Sequence, residues 1–223
     1  MRVIDIGCGQ NPWVLRSFPE FRLYDDRTMV TEVFPDTSLI SRYVSLDLDG
    51  EGFDVATEWM MRARCVAPEC VIGDATKQTL FDDGSFDVAI ISDVTSVPEQ
   101  DWCMCGYDCT CDCASCECSG FVDWSDDGSS LGNCCDRVTH GLSYRDKTRI
   151  IRECVRLLVS GGTLVVATHQ THEEARFIHR DLNNAEWLAK EGLVLLRESD
   201  RRWVSMCDLR GSFEAQYTKQ NSA

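Results

Sequence analysis

Two things are scarce in this chain of 223 residues: long apolar runs and positive charge. No apolar stretch approaches the roughly 20 residues of a membrane-spanning helix, which argues against an integral membrane protein. The first residues, MRVIDIGCGQ, lack the basic and then apolar pattern of a secretory leader, so we expect a cytoplasmic protein without membrane contacts. The formal net charge is −15. Such a surface repels phosphate backbones, so duplex DNA is not an expected partner.

The segment RVIDIGCG near the N-terminus is a short apolar run that ends in glycines. Its valine and isoleucines favour a buried parallel strand, and the turn GCGQNPW follows. Asn11 can cap a helix and Pro12 suits its first position, so we expect a strand, a glycine-rich turn and a helix start in succession. A dinucleotide-binding turn would have a third glycine at position 12. Pro12 therefore argues against binding of NAD.

Strand and helix patterns alternate along the rest of the chain. RYVSLDLD, CVIGDAT, FDVAIISDV and TLVVATH have the composition of strands, and RWVSMCDL with SFEAQYTK predicts a closing hairpin. FDVATEWMMRAR, LSYRDKTRIIRECVRLL and AEWLAKEG have helical spacing. This alternation predicts an α/β fold, in which a mainly parallel sheet carries helices on both faces.

Five of these segments, taken in order, resemble the motifs of class I S-adenosylmethionine-dependent methyltransferases. They are VIDIGCG, YVSLDLD, VIGDAT, FDDGSFDVAIISDV and IIRECVRLLVSGGTLVVATH. The resemblance implies a Rossmann-like three-layer sandwich with a mostly parallel seven-stranded sheet and a C-terminal antiparallel hairpin strand. It also implies S-adenosylmethionine as the cofactor and methyl transfer as the reaction.

The resemblance also implies roles for residues at the ends of the first two strands. Gly7 and Gly9 would let the backbone approach the amino-acid end of the cofactor, where a Cβ atom would clash. Asp5 would accept a hydrogen bond from the cofactor's ammonium group, directly or through water. Asp47 would hold the two ribose hydroxyls, as acids do in other nucleotide sites.

The position of the ribose acid has an alternative. About 26 residues separate the glycine-rich turn from the second predicted strand, and FRLYDD lies among them. If FRLYDD were the second strand, Asp25 or Asp26 would be the ribose acid. We prefer Asp47, because its distance from Asp74 leaves room for one helix and one strand.

Two further sites follow from the later motifs. Asp74 and the N–H group of Ala75 would contact the adenine ring. Asp93, at the end of the fourth predicted strand, is the candidate catalytic carboxylate, with His169 and His140 as secondary candidates. The run that begins at Asp93, DVTSVP, matches neither the DNA amino-methyltransferase pattern nor the cytosine-C5 pattern. The methyl acceptor can therefore be a small molecule, a protein or RNA.

Cysteine is abundant, with 14 residues, and nine of them lie in one short stretch. Clustered thiols in a chain without a leader favour metal over disulfides, and neighbours in C-x-C are poor disulfide partners. We expect structural zinc, with about two to three ions if some thiolates are shared. An iron–sulfur cluster is the alternative. The predicted ligands are Cys103, Cys105, Cys109, Cys111, Cys113, Cys116, Cys118, Cys134 and Cys135.

The cysteines define the expected domain organisation. Residues 1–100 and 137–223 form the predicted methyltransferase domain, and residues 101–136 form a metal-binding insertion that has too few large apolar groups to fold alone. The alternative function is a catalytically inactive Rossmann-like scaffold that presents this zinc module to a partner. After the insertion, Arg145, Arg149, Arg152 and Arg156 form a stripe along one predicted helix, which we interpret as a solvated face rather than a phosphate-binding surface.

Overall fold

The computed structural model describes residues 1–9, 12–17, 33–34, 36–50, 52–92, 94, 102–103, 138–139, 142–171, 184–204 and 209–220. The chain divides into two compact units, Met1–Ser96 with Asp146–Ala223, and Val97–Arg145. The predicted boundaries of the insertion, residues 101 and 136, stay a prediction. In the part of the chain that is described, no helix is long and apolar enough to cross a bilayer.

The larger unit is built on a seven-stranded sheet with the strand order β3-β2-β1-β4-β7-β9-β8. The strands are β1 (Arg2–Ile6), β2 (Arg42–Asp47), β3 (Glu69–Ile72), β4 (Phe86–Ser92), β7 (Leu158–Thr171), β8 (Leu193–Val204) and β9 (Leu209–Lys219). The five strands from β3 to β7 in this order are parallel, whereas β9 is antiparallel to both of its neighbours. The predicted fold class is confirmed.

The helices follow the predicted positions closely. The α-helices whose two ends lie in the described residues are α1 (Phe53–Arg62), α2 (Tyr144–Leu157) and α3 (Ala185–Lys190). The side chain of Asn184 caps α3 by accepting from the N–H groups of Glu186 and Trp187. The helix expected after the glycine-rich turn is a five-residue 3₁₀ helix, Trp13–Ser17, with the Leu15 N–H donating to the Pro12 carbonyl at 3.0 Å.

The core gathers on the central strands, since Val3, Ile4, Ile90 and Ile91 of β1 and β4 are fully buried. One cluster of buried side chains joins the 3₁₀ helix to the sheet and to α1. In it, the rings of Trp13 and Phe34 meet edge-on, with their centroids 6.0 Å apart. The large side chains of this cluster include Trp13, Leu15, Phe34, Ile40, Tyr43 and Met60. The residues just after the glycine-rich turn are therefore anchored in the core.

The smaller unit contains β5 (Trp102–Cys103) and β6 (Val138–Thr139), which pair antiparallel. This pairing brings together the two ends of the cysteine-rich segment, because Cys103 lies opposite Val138. Eight of the nine predicted zinc ligands lie outside the described residues, and Cys103 is described only as part of β5.

Candidate functional site

The glycine-rich turn lies where the strand order reverses. β1 pairs with β2 on one side and with β4 on the other, and all three run parallel. In open α/β sheets, ligands bind at the carboxyl ends of the strands at such a switch point. The turn that follows β1 is therefore placed at the expected ligand edge of the sheet.

The two glycines of the turn are required for different reasons. Both have positive φ angles, +71° at Gly7 and +48° at Gly9. A Cβ atom at Gly7 would collide with Cγ2 of Val94, so Gly7 is required for packing inside the protein, and its contact with a cofactor stays a prediction. A Cβ atom at Gly9 would meet no atom of the described residues within 4 Å. Of these two glycines, Gly9 is therefore the one with space beside it that a bound molecule could fill.

Asp47, the last residue of β2, lies directly beside Gly9. Its Oδ2 accepts a hydrogen bond from the Gly9 N–H at 2.9 Å, and its Oδ1 accepts from the Leu48 N–H at 2.7 Å. The carboxylate thus bridges the ends of two neighbouring strands. The second strand of the sheet is RYVSLD, which pairs with β1 as predicted. Asp25 and Asp26 lie outside the described residues.

Asp5 lies beneath the turn rather than at its surface. It is fully buried, and its Oδ2 accepts from the Tyr43 hydroxyl at 2.6 Å and from the Trp13 N–H at 2.9 Å. A contact between Asp5 and a ligand ammonium stays a prediction. What the structure gives Asp5 is a structural role: it joins β1 to β2 and to the first residue of the 3₁₀ helix.

The side chains around Asp5 are held in their neutral forms. Burial, together with the charge of Asp5, raises the pKa of the Tyr43 hydroxyl and of the Cys8 thiol. A thiol that stays protonated is a poor nucleophile. The Cys8 thiol is buried and donates to the Gly9 carbonyl at 3.6 Å, so it packs within the turn.

Asp74 forms its own turn after β3. Its Oδ1 accepts from the N–H of Thr76 at 2.9 Å and from the hydroxyl of Thr76 at 2.6 Å, and Lys77 pairs with its Oδ2 at 2.9 Å. The hydrogen bond from the Thr76 hydroxyl holds the pKa of Asp74 below its ordinary value. Ala75 is buried beside it. Asp74 is thus a charged carboxylate with fixed orientation.

Two exposed apolar residues at this edge were not identified from the sequence. Leu48 follows Asp47 directly and is 66% exposed, and Ile72 ends β3 opposite Asp47 and is 67% exposed. They flank the carboxylates of Asp47 and Asp74 in the chain. The signal that could have revealed Leu48 is its place in SLDLD, where an apolar residue follows a strand-ending acid and precedes a turn.

Several predicted site residues cannot be placed. Asp93 and His140 lie outside the described residues, and His169 is described only as part of β7. Among the residues that are described, no three potential metal ligands come together. Cys8, Cys65 and Cys154 are buried thiols, and Cys70 is an exposed one.

The arginine stripe of α2 is engaged in ion pairs. Arg149 donates to Asp146 at 3.2 Å, and Arg152 forms two hydrogen bonds of 2.7 Å with Glu191. Arg156 pairs with Glu153 and is only 19% exposed. These three arginines meet acids of the same unit. Arg149 and Arg152 are exposed, as a solvated face requires, whereas Arg156 is largely buried.

Comparisons by sequence find no relative: no family profile matches, and no curated protein matches. Solved structures do match. The N-methyltransferase NodS from Bradyrhizobium japonicum has a TM-score of 0.51 at 11% identity, over 99% of this chain and 86% of NodS. A S-adenosylmethionine-dependent methyltransferase from Methanosarcina mazei has a TM-score of 0.51 at 14% identity, over 99% of this chain and 93% of the other.

The chain has the Rossmann-like fold of S-adenosylmethionine-dependent methyltransferases. At these identities the likeness shows the fold alone. The [4+2]-cyclase SpnF matches equally well, with a TM-score of 0.51 at 13% identity over 99% of this chain and 76% of SpnF. One fold thus serves different reactions, and the reaction of this protein has to be argued from its site.

Proposed function

We propose that this protein is an S-adenosylmethionine-dependent methyltransferase. The observation that carries the proposal is the open space at Gly9, which borders the switch point of the sheet and lies beside the carboxylate of Asp47. The cofactor would supply an activated methyl group on a sulfonium, so the chain mainly has to bind and orient. The residues at this edge fit that task.

The cofactor-binding residues divide by the part of the molecule they suit. Asp47 offers acceptors for the ribose hydroxyls. Leu48 and Ile72 offer apolar surface for an aromatic base, and the charged carboxylate of Asp74 offers an acceptor for an exocyclic amino group. Asp93 remains our candidate for the carboxylate that faces the methyl acceptor.

The acceptor is a small molecule, a protein or RNA in this proposal, and duplex DNA and membranes are not expected partners. The net charge of −15 disfavours any phosphate-rich partner. The arginines of α2 add no support for RNA, since Arg149, Arg152 and Arg156 are already paired with acids.

For the insertion, we propose that the nine clustered cysteines bind structural zinc. Their number and density support this, and the four cysteines described elsewhere in the chain are separate thiols. Thiolates are the preferred ligands of closed zinc sites, and metal binding supplies folding free energy to a segment that lacks an apolar core.

A scaffold without cofactor is the second candidate, and one observation favours it. The three carboxylates expected to contact the cofactor all accept hydrogen bonds from the protein: Asp5 from Tyr43, Asp47 from Gly9 and Asp74 from Thr76. A scaffold would present the zinc module to a partner and would not bind S-adenosylmethionine.

Calorimetric titration with S-adenosylmethionine and S-adenosylhomocysteine separates the two candidates. We expect the native chain to bind both and the Gly9→Val variant to bind neither, because the new side chain fills the open space. The matched control is Gly192→Val, since Gly192 has a φ of +73° and equally open surroundings. Both substitutions introduce backbone strain of about 1–2 kcal/mol.

The control isolates ligand exclusion from backbone strain. We expect Gly192→Val to bind like the native chain, and both variants to retain the native circular dichroism spectrum. Equal binding by Gly9→Val and Gly192→Val would contradict the assignment of the cofactor site, and no binding by the native chain would favour the scaffold.

A further inference from the structure

The connection between β3 and β4 is fastened to α2 through a buried carboxylate. The side chain of Glu153 is 7% exposed. Its Oε1 accepts from the N–H of Thr79 at 2.8 Å and from the Thr79 hydroxyl at 2.7 Å. Arg156 donates to both oxygens of the same carboxylate, at 2.6 and 2.8 Å. Because a buried charge is costly unless it is well paired, this arrangement has one strongly preferred geometry.

Arg156 extends the attachment further along the connection. Its Nη1 donates to the carbonyl of Phe81 at 2.9 Å and to the carboxylate of Asp83. Its own carbonyl accepts from the Gly84 N–H at 3.0 Å. Of these anchors, the backbone bond from Gly84 involves neither side chain, whereas the guanidinium of Arg156 that holds Phe81 and Asp83 is itself paired with Glu153.

The first half of the connection carries the proposed base-contacting residues. The Gly73 N–H donates to the carbonyl of Asp47 at 2.8 Å, which fixes the start of this half. Asp74 then closes a turn on Thr76, and the Lys77 N–H donates to the Asp74 carbonyl at 3.1 Å. Thr79 lies only five residues after Asp74, so its anchor on Glu153 fixes where this turn ends.

We propose that Glu153 is a positioning residue that sets the turn of residues 74–77 against the base of the bound nucleoside, an inference that rests on the proposed function. Asp74 can accept from the amino group of adenine, whereas the oxo group of hypoxanthine would face it with a second acceptor. Selection of adenine by Asp74 depends on the position of its turn. Glu153 thus contributes to the choice of base without contacting the ligand.

The test compares Glu153→Ala with a matched control. Glu191→Ala breaks another ion pair made by an arginine of α2: Glu191, the residue after α3, is also 7% exposed, and it binds Arg152 with two bonds of 2.7 Å. The affinities for S-adenosylhomocysteine and for its inosine analogue are measured by calorimetry. Hydrogen exchange of the amides in residues 74–84 is measured without ligand.

We expect the native chain to prefer the adenine compound, and Glu153→Ala to lower this preference about tenfold, the effect of losing one charge-assisted hydrogen bond. Exchange in residues 74–79 should rise in the same variant. Glu191→Ala should change neither quantity. Thr79→Val removes only the hydroxyl contact and should shift the preference in the same direction, which covers the case in which Glu153→Ala does not fold.

The possible failures are distinguishable. If the native chain binds neither compound, the proposed function falls, and the role of Glu153 in base selection falls with it. If the native chain selects adenine but Glu153→Ala and Thr79→Val select it equally well, only the positioning role is overturned. An equal loss of selectivity in Glu191→Ala would also overturn it, because the effect would then be a general one.

Discussion

In the function proposed above, the carboxylate of Asp47 serves both the fold and the ligand. It closes the glycine-rich turn by accepting from the Gly9 N–H, and it stands at the carboxyl end of β2, where an acid can reach ribose hydroxyls. The two tasks are compatible, since each carboxylate oxygen can accept more than one hydrogen bond. Asp47 is therefore the residue whose loss should be most informative about the cofactor.

We predict that Asp47→Ala weakens binding of S-adenosylhomocysteine by roughly 1.5–3 kcal/mol, the range for hydrogen bonds to a charged group. Asp47→Asn retains an acceptor for the Gly9 N–H, so it separates the closure of the turn from the contact with ribose. Calorimetry on both variants gives the two contributions.

The controls for this prediction are Asp25→Ala and Asp26→Ala, which we expect to leave the affinity unchanged. If either control weakens binding by this amount while Asp47→Ala does not, the ribose acid has been assigned to the wrong residue.

At the scale of single residues, the sequence predicted the positions of acids and glycines but not their partners. The turn of Asp74 with Thr76 is a local pattern and was accessible in principle. The bond between Asp5 and Tyr43 joins residues 38 positions apart, and it exists only because β1 and β2 are neighbours. The role of Gly7 likewise depends on Val94, which follows β4, a strand that is far from β1 in sequence but pairs with it in the sheet.

The element that sequence patterning described best is α2. Its apolar face, predicted as Ile150, Cys154, Leu157 and Leu158, is buried, with none of the four more than 3% exposed, although Leu158 already belongs to β7. Ile151 is fully buried as well. Arg149, Arg152 and Arg156 of α2 pair with acids. In a helix of this kind, packing of the apolar face provides most of the stability, and exposed ion pairs contribute little.

We predict that Ile151→Ala lowers the free energy of unfolding by about 2–5 kcal/mol, the usual cost of a large cavity in a core. Arg149→Ala removes an exposed pair with Asp146 and should cost less than about 1 kcal/mol. Urea denaturation of both variants measures the difference. Similar losses in the two variants would show that the ion pairs of α2, and not its buried face, hold it to the sheet.

Two elements departed from expectation for physical reasons. The helix after the glycine-rich turn is a short 3₁₀ segment, because Asp5 and the core hold Trp13 close to the sheet. Strand β8 begins at Leu193, ahead of the predicted hairpin. On β8 the side chains of Val194 and Leu196 are apolar, yet they are 39% and 58% exposed. The sequence of this strand therefore lacks the alternation of apolar and polar residues that marks a half-buried strand.

At the scale of the whole molecule, the division into two units separates the predicted zinc ligands from the main core. The larger unit has its own apolar core, centred on β1 and β4. The predicted zinc ligands fall within the smaller unit, Val97–Arg145. If metal supplies the folding free energy of that unit, its removal should leave the sheet of the larger unit intact.

We predict that protein purified without chelator carries about two to three Zn²⁺ per chain, as nine thiolates with some sharing allow. A strong chelator should make residues 101–136 the first site of proteolysis, while the circular dichroism of the larger unit persists. Mild acid should also release the metal, because ligand thiolates must stay deprotonated. Elemental analysis and protease mapping before and after chelation measure these effects.

Each alternative leaves a distinct result. Iron with visible absorbance would identify an iron–sulfur cluster instead of zinc. Metal-free protein whose cysteine-rich segment resists protease would rule out a structural metal. Loss of the entire fold on chelation would mean that the smaller unit contributes to the core of the larger one. Because Cys8, Cys65 and Cys154 are buried singly, a metal content that survives replacement of the nine clustered cysteines by serine would also contradict the proposal.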